Sequence, residues 1–116
     1  MTQQQQLLTT FRERMISEMP HTTIREVKMF GGIALMVGDA MFASINDSGA
    51  LLARVAPDRD TQLLDRPEAS RAHMGAGRPM GNGWITVSAD SLQSDDIVEF
   101  WFSECLNHHR TLHKNS

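Results

Sequence analysis

Between residues 24 and 55 the chain is divided too finely to be helical. Gly31-Gly32, Gly38-Asp39 and Asn46-Asp47-Ser48-Gly49 interrupt this stretch. The pieces left between them are Ile24 to Phe30, Ile33 to Val37, Ala40 to Ile45 and Ala50 to Val55. Short apolar runs bounded by such residues read as strands, and a two-residue Gly-Asp link reads as a hairpin turn. Asn-Asp-Ser-Gly is a further turn, because Asn and Asp bond their own backbone and Gly accepts unusual dihedrals. Consecutive hairpins give an antiparallel meander. Gly31-Gly32 admits two readings, a bulge that bends one long strand or a break between two strands.

The period changes on either side of this block. In residues 1–19, Leu7, Leu8, Phe11, Met15 and Met19 fall on one helical stripe. Thr2 with Gln5 three residues on resembles a capping box, and Pro20 stops the helix. The Gln3–Gln6 run is its first turn, where fraying is expected. Pro57 and Asp58 open a short helix through Leu63 and Leu64, and Pro67 closes it. A loop-rich stretch follows at residues 68–83, with a short strand expected near Ala72–Gly75. Trp84 to Ser88 is rich in strong β-formers. Ser94 is a good N-cap, and Asp95 and Asp96 suit the first turn of a last helix. On it Ile97, Trp101, Cys105, His108 and Leu112 form a stripe about 80° wide, with Phe100 and Phe102 about 100° to either side of Trp101. One sheet does not cover both rings, so one of them is expected at a rim or in a partner interface, or under a folded loop.

Strands grouped between helices, without alternation, argue for an α+β fold. The expectation is two layers, an antiparallel sheet of about five strands with helices on one face, in the order α-β-β-β-α-β-β-α. A length of 116 residues fits one domain, residues 1–116. One cysteine excludes a disulfide framework. No apolar run is long enough for a membrane span, and the start MTQQQQ lacks a signal peptide's basic and apolar regions. The cytoplasm is the expected location. The net charge is −3, and the nine arginines are scattered, so direct nucleic-acid binding is not expected.

Few residues suggest chemistry. Cys105 and His109 are four apart on the last helix, as are His109 and His113, so either pair could chelate a metal. One straight helix does not bring Cys105, His108, His109 and His113 onto one ion, and a third ligand would have to come from His21, His73 or an acid. The plainer reading is a packed cysteine on an apolar stripe and a helix end that carries histidines. No metal and no cofactor are assigned. The Gly75–Gly83 segment, Gly-Ala-Gly-Arg-Pro-Met-Gly-Asn-Gly, runs into a strand rather than a helix and lacks the Lys-Ser/Thr of a phosphate loop. It reads as a connection, from which Arg78 could reach a ligand or partner. Eight methionines beside five phenylalanines, two tryptophans and no tyrosine suggest adaptable core filler, or an adaptable binding surface.

Several pieces recur together in one known family. Val27-Lys28-Met29-Phe30-Gly31-Gly32 is followed by a hairpin ending in Met41-Phe42-Ala43, and then by Leu51-Leu52-Ala53-Arg54-Val55. Gly77-Arg78-Pro79-Met80-Gly81 and Trp84-Ile85-Thr86-Val87 come after these. Together with the acidic-start helix carrying Trp101, they resemble the N-terminal domain of the TfoX/Sxy family over about residues 10–110. The resemblance implies the same α+β order and a link to the regulation of natural competence. Family members with that role usually carry a second, C-terminal domain, for which 116 residues leave no room. It supplies no catalytic residues. Met29, Phe30, Gly31, Gly32, Met80, Gly81 and Trp84 are its structural signature, and Arg78, Phe100 and Phe102 are the candidate contacts for a ligand or partner. The function expected is a non-enzymatic regulatory or protein-interaction module, able to form a homodimer. A small-ligand or metal-binding protein, using the Gly75–Gly83 loop or the histidine-rich helix end, is the alternative.

Overall fold

The computed structural model describes residues 2–29, 31–73 and 77–114, without the side chains of His113 and Lys114. Helix α1 (Gln3–Glu18) precedes four strands, β1 (Ile24–Met29), β2 (Gly32–Val37), β3 (Ala40–Asn46) and β4 (Leu51–Arg54). A 3₁₀ turn at Pro57–Arg59 leads into α2 (Asp60–Leu64). Strands β5 (Ala69–Arg71) and β6 (Trp84–Val87) follow, then a second 3₁₀ turn and α3 (Asp95–Lys114). The class is α+β, as the pattern of runs implied. The sheet has six strands in the order β1-β2-β3-β4-β6-β5, and every pairing is antiparallel.

Gly31-Gly32 therefore separates two strands rather than bending one. Gly31 has φ +71°, the left-handed region that a Cβ disfavours. Gly32 answers a different need, since a Cβ there would lie 2.5 Å from the Ile45 carbonyl oxygen on the neighbouring strand. The strand expected near residues 72–75 lies earlier, at Ala69–Arg71. Phe30 and residues 74–76 lie outside the described residues.

The strand register gives the two faces of the sheet directly. Lys28, Ile33, Ile45, Leu51, Val87 and Ala69 form one row across all six strands. Glu26, Leu35, Ala43, Ala53, Ile85 and Arg71 form a second. The apolar members of both rows pack into one core with Leu7, Leu8, Phe11 and Met15 of α1 and Val98, Trp101, Phe102, Cys105 and Leu106 of α3. Leu63 of α2 joins the same core. Between these rows lies a third, Val27, Ala34, Ser44, Leu52, Thr86 and Ser70. Side chains alternate across a strand, so this row points away from the helices.

A bulge adjusts the pattern in β3. The register between β2 and β3 shifts at Leu35/Met36, so that Met41 faces Met36 and Ala43 faces Leu35. Phe42 is the extra residue. Its ring meets Phe11 at 6.3 Å, Phe102 at 5.4 Å and His109 at 5.8 Å between centroids.

The N-terminal end of α1 is fixed. Thr2 Oγ1 accepts from the Gln5 N–H at 3.2 Å, as the capping pattern implied. The glutamine run is held as well. Gln3 Nε2 donates to the Gly49 and Ala89 carbonyls at 3.1 and 2.7 Å. Gln4 Nε2 donates to the Ile45 carbonyl at 3.0 Å. In α3, Trp101 and Cys105 are buried as expected, whereas Leu112 is 37% exposed.

Candidate functional site

The third row of the sheet has no helix over it. On this face the central Ala34 and Ser44 are small and buried, while Val27 and Leu52 of the row and Met36 beside it are half-buried. Met29 shares the face at the β1 end. At the β6 end Arg54 and Trp84 are cross-strand partners, with the guanidinium 5.2 Å from the ring centroid. That distance suits a cation–π contact. The surface is thus apolar in the middle, with methionines at one end and a tryptophan–arginine pair at the other.

The described residues between β5 and β6, 72–73 and 77–83, form an arm along this face. The Met80 N–H donates to the Ala72 carbonyl at 2.8 Å, and His73 pairs with Pro79. A cavity of about 90 Å³ lies between the arm's His73 and Met80 and the sheet's Ser44, Asn46, Leu52 and Thr86. Arg78 is exposed on the arm, beside exposed Gly77 and Pro79.

A buried ion pair anchors the base of the arm. Asp60 is 2% exposed. Both guanidinium nitrogens of Arg71 donate to its carboxylate, and Nη1 also donates to the Gly81 and Trp84 carbonyls at 2.9 and 3.0 Å. The Gly83 N–H completes the set, donating to Asp60 Oδ1 at 2.8 Å. Gly83 has φ +94°, and a Cβ there would lie 2.8 Å from the Val55 carbonyl oxygen, so only glycine fits between the arm and β4. The Arg71 hydrogen bond holds the Asp60 carboxyl below the usual carboxylate range.

A second polar cluster sits under α3. Trp101 Nε1 donates to Glu68 Oε2 at 2.9 Å, and Arg66 Nε meets the same oxygen at 2.5 Å. Burial acts to raise the Glu68 pKa, but the bonds from Arg66 and Trp101 outweigh it and leave the carboxyl lowered. The Arg66 guanidinium also covers Phe100, 3.8 Å from its ring centroid. Phe100 is therefore half-buried beneath an arginine. Phe102 is 1% exposed and packs edge-on to Phe11 at 5.3 Å. Of the two rings flanking Trp101, Phe100 is the one at a rim and Phe102 lies in the core.

Among the described residues the histidines and Cys105 do not converge on a metal site. Burial pushes the Cys105 thiol up to about 12, so it packs as a small apolar group. His109 is buried against Phe42. It lines a groove of about 500 Å³ with His21, Met19, Pro20, Val37 and Arg110. The side chain of His113 lies outside the described residues. Among the described residues no three His, Cys, Asp or Glu side chains are placed to hold a metal ion.

The buried ionisable groups set the acid response. Burial, with the nearby Arg54 charge second, lowers the His108 pKa. A lowered pKa means that the unfolded chain binds the proton more readily. The His108 contribution is complete above its unfolded value of about 6.5 and is lost as pH falls below it. Asp60 and Glu68 follow at lower pH, their contributions being lost as pH falls below about 4. Urea midpoints measured between pH 7.5 and 3 should fall in these two stages. His108→Gln should reduce the first stage and leave the second. A midpoint that is flat between pH 7 and 5 in the parent protein contradicts this.

The family model of the TfoX N-terminal domain matches residues 17–109. The chain belongs to the TfoX N-terminal domain family. The match takes in all six strands and the arm. This is the family already suggested by the Met-Phe-Gly-Gly and Gly-Arg-Pro-Met segments, and it associates the domain with regulation of the TfoX kind. Comparison with curated proteins and with solved structures finds no match. Among the described residues no helix is long and apolar enough to cross a membrane. The positions on which the resemblance rested fall into two groups, Met29, Gly31 and Gly32 at the β1–β2 turn and Met80, Gly81 and Trp84 on the arm and β6. The glycines of the first group have backbone reasons. Met29, Met80 and Trp84 are half-buried, and they border the face that no helix covers.

Proposed function

We propose that this TfoX-type domain is a non-enzymatic regulatory module, acting in the cytoplasm, that takes a protein partner on the uncovered face of its sheet. The observation that carries the reading is the sheet face that no helix covers. A sheet with helices on one side leaves Val27, Met36, Leu52 and Trp84 half-buried on the other. Flexible methionines flanking an aromatic–arginine pair are the side chains that partner surfaces favour. Arg78 on the arm and Arg54 in β4 supply charge at the rim, while Phe100 and Phe102 belong to the helix side. With a net charge of −3 and no basic cluster in the sequence, a protein suits this face better than a nucleic acid.

A photo-cross-linking amino acid at Met36 or Leu52, in cells that express the protein, tests this. The reading expects a discrete protein adduct from both positions and none from Thr9 or Ser103, which are exposed on α1 and α3. Leu52→Arg should abolish the adduct formed from Met36 while the protein still melts cooperatively. Equal adducts from the helix side, adducts to nucleic acid instead of protein, or none from any position would overturn the reading.

A further inference from the structure

We infer that β1 is a self-pairing edge, through which two copies of the chain join antiparallel about a two-fold axis at Val27 and form one continuous sheet. The two edges of the sheet differ. β5 is three residues long, whereas β1 runs for six, Ile24–Met29, and pairs only with β2 among the described strands. Proteins shorten or disrupt edge strands to prevent pairing. β1 is neither short nor bulged, and its register with β2 is unbroken.

Symmetry restricts how β1 can meet itself. A two-fold axis normal to the sheet keeps each face on its own side. Directly opposed residues must share a face, so the axis must pass at a residue and not between two. Four centres, residues 25 to 28, keep half or more of the strand paired. Centring on Arg25, Glu26 or Lys28 sets that charged residue against its own copy, which is destabilising. Centring on Val27 sets valine against valine on the uncovered face. It also sets Glu26 against Lys28 of the second copy, and Lys28 against Glu26, on the helix side. Arg25 then faces Met29. Only this register has no like charges opposed, and it has two opposite-charge pairs.

The charges on β1 thus act as a selector. They reject unrelated strands and wrong registers, and they accept this one. Glu26 is already oriented by Arg12 of α1, at 2.7 Å. Lys28 of a second copy would extend that pair into a network of three. Faces are preserved, so the two uncovered rows would run together into a single surface across both copies.

The test uses the full chain. Cysteine is placed singly at residues 25, 26, 27 and 28, and each variant is mildly oxidised. The native Cys105 is 1% exposed and does not interfere. Each position reports the register centred on it, and Val27→Cys alone should form a disulfide-linked dimer. In sedimentation, Glu26→Lys and Lys28→Glu should each weaken the dimer about tenfold or more, because symmetry reverses two contacts at once. The double reversal should restore it. A wild-type chain that stays monomeric at high micromolar concentration overturns the inference. So does cross-linking centred at another position, or a dimer indifferent to both single reversals. A monomer that still yields adducts from Leu52 would sink this inference and leave the partner reading standing. A dimer without such adducts does the opposite.

Discussion

Arg71→Met is expected to lower stability by about 3–5 kcal/mol, because it leaves the Asp60 carboxylate buried without its counter-charge. For a chain of this length that corresponds to a fall in Tm of about 12–20 °C. The loss comes less from the attraction itself than from the abandoned charge. Asp60→Asn alone should therefore cost less, since an amide oxygen can still accept from Gly83. The double variant Asp60→Asn/Arg71→Met should be more stable than Arg71→Met. Thermal melts of the three variants complete the cycle. Equal loss in the double and in Arg71→Met would mean that the pair acts only by filling space. The damage should also be local at first. The Gly83 amide and the arm that carries Arg78 lose their anchor, so their hydrogen exchange should rise before that of β2 and β3.

Phe102→Ala is the second large effect, expected to cost about 3–5 kcal/mol from lost packing and the cavity left behind. Phe102 closes a triangle with Phe11 and Phe42 and carries the Arg14 guanidinium 4.8 Å above its ring. Calorimetry should show a lower Tm, and partner cross-linking from Leu52 should persist at temperatures where the variant is folded. Phe100→Ala should be much milder, because its ring is half-exposed and loses mainly the Arg66 contact. If Phe102→Ala kept its stability and lost only the partner, Phe102 would belong to an interface rather than to the core.

How much of this could be read from the chain depends on the range of the interaction. The Thr2 cap spans three residues, and the β2–β3 hairpin is fixed by Gly38-Asp39, so both were legible. Gly31-Gly32 was ambiguous because the two readings differ in the position of Ile45, a strand away, which excludes a Cβ at Gly32. β5 was misplaced by three residues because its hydrogen bonds come from β6, across the loop. The anchors of the candidate site were out of reach for the same reason. Asp60 meets Arg71 across 11 residues and the Gly83 N–H across 23, and Glu68 meets Trp101 across 33. Asp60 left one local hint, since it lies three and four residues before Leu63 and Leu64 and so shares their face of α2. Of the two phenylalanines beside Trp101, sequence geometry showed that they differ, but not which would be buried, because the rings that enclose Phe102 are Phe11 of α1 and Phe42 of β3.

The bulge at Phe42 has a consequence for how the sheet can assemble. In a plain hairpin, slipping β3 by one residue merely exchanges its two sides. Here the extra residue makes the two sides unequal in length, so no slipped alignment reproduces the native contacts. Sliding by one would turn Phe42 to the bare face and send the Ser44 hydroxyl into the aromatic layer, stranding a polar group there. The insertion is a notch in the pairing, and it leaves the meander a single alignment in which the rings of Phe11, Phe42 and Phe102 can meet.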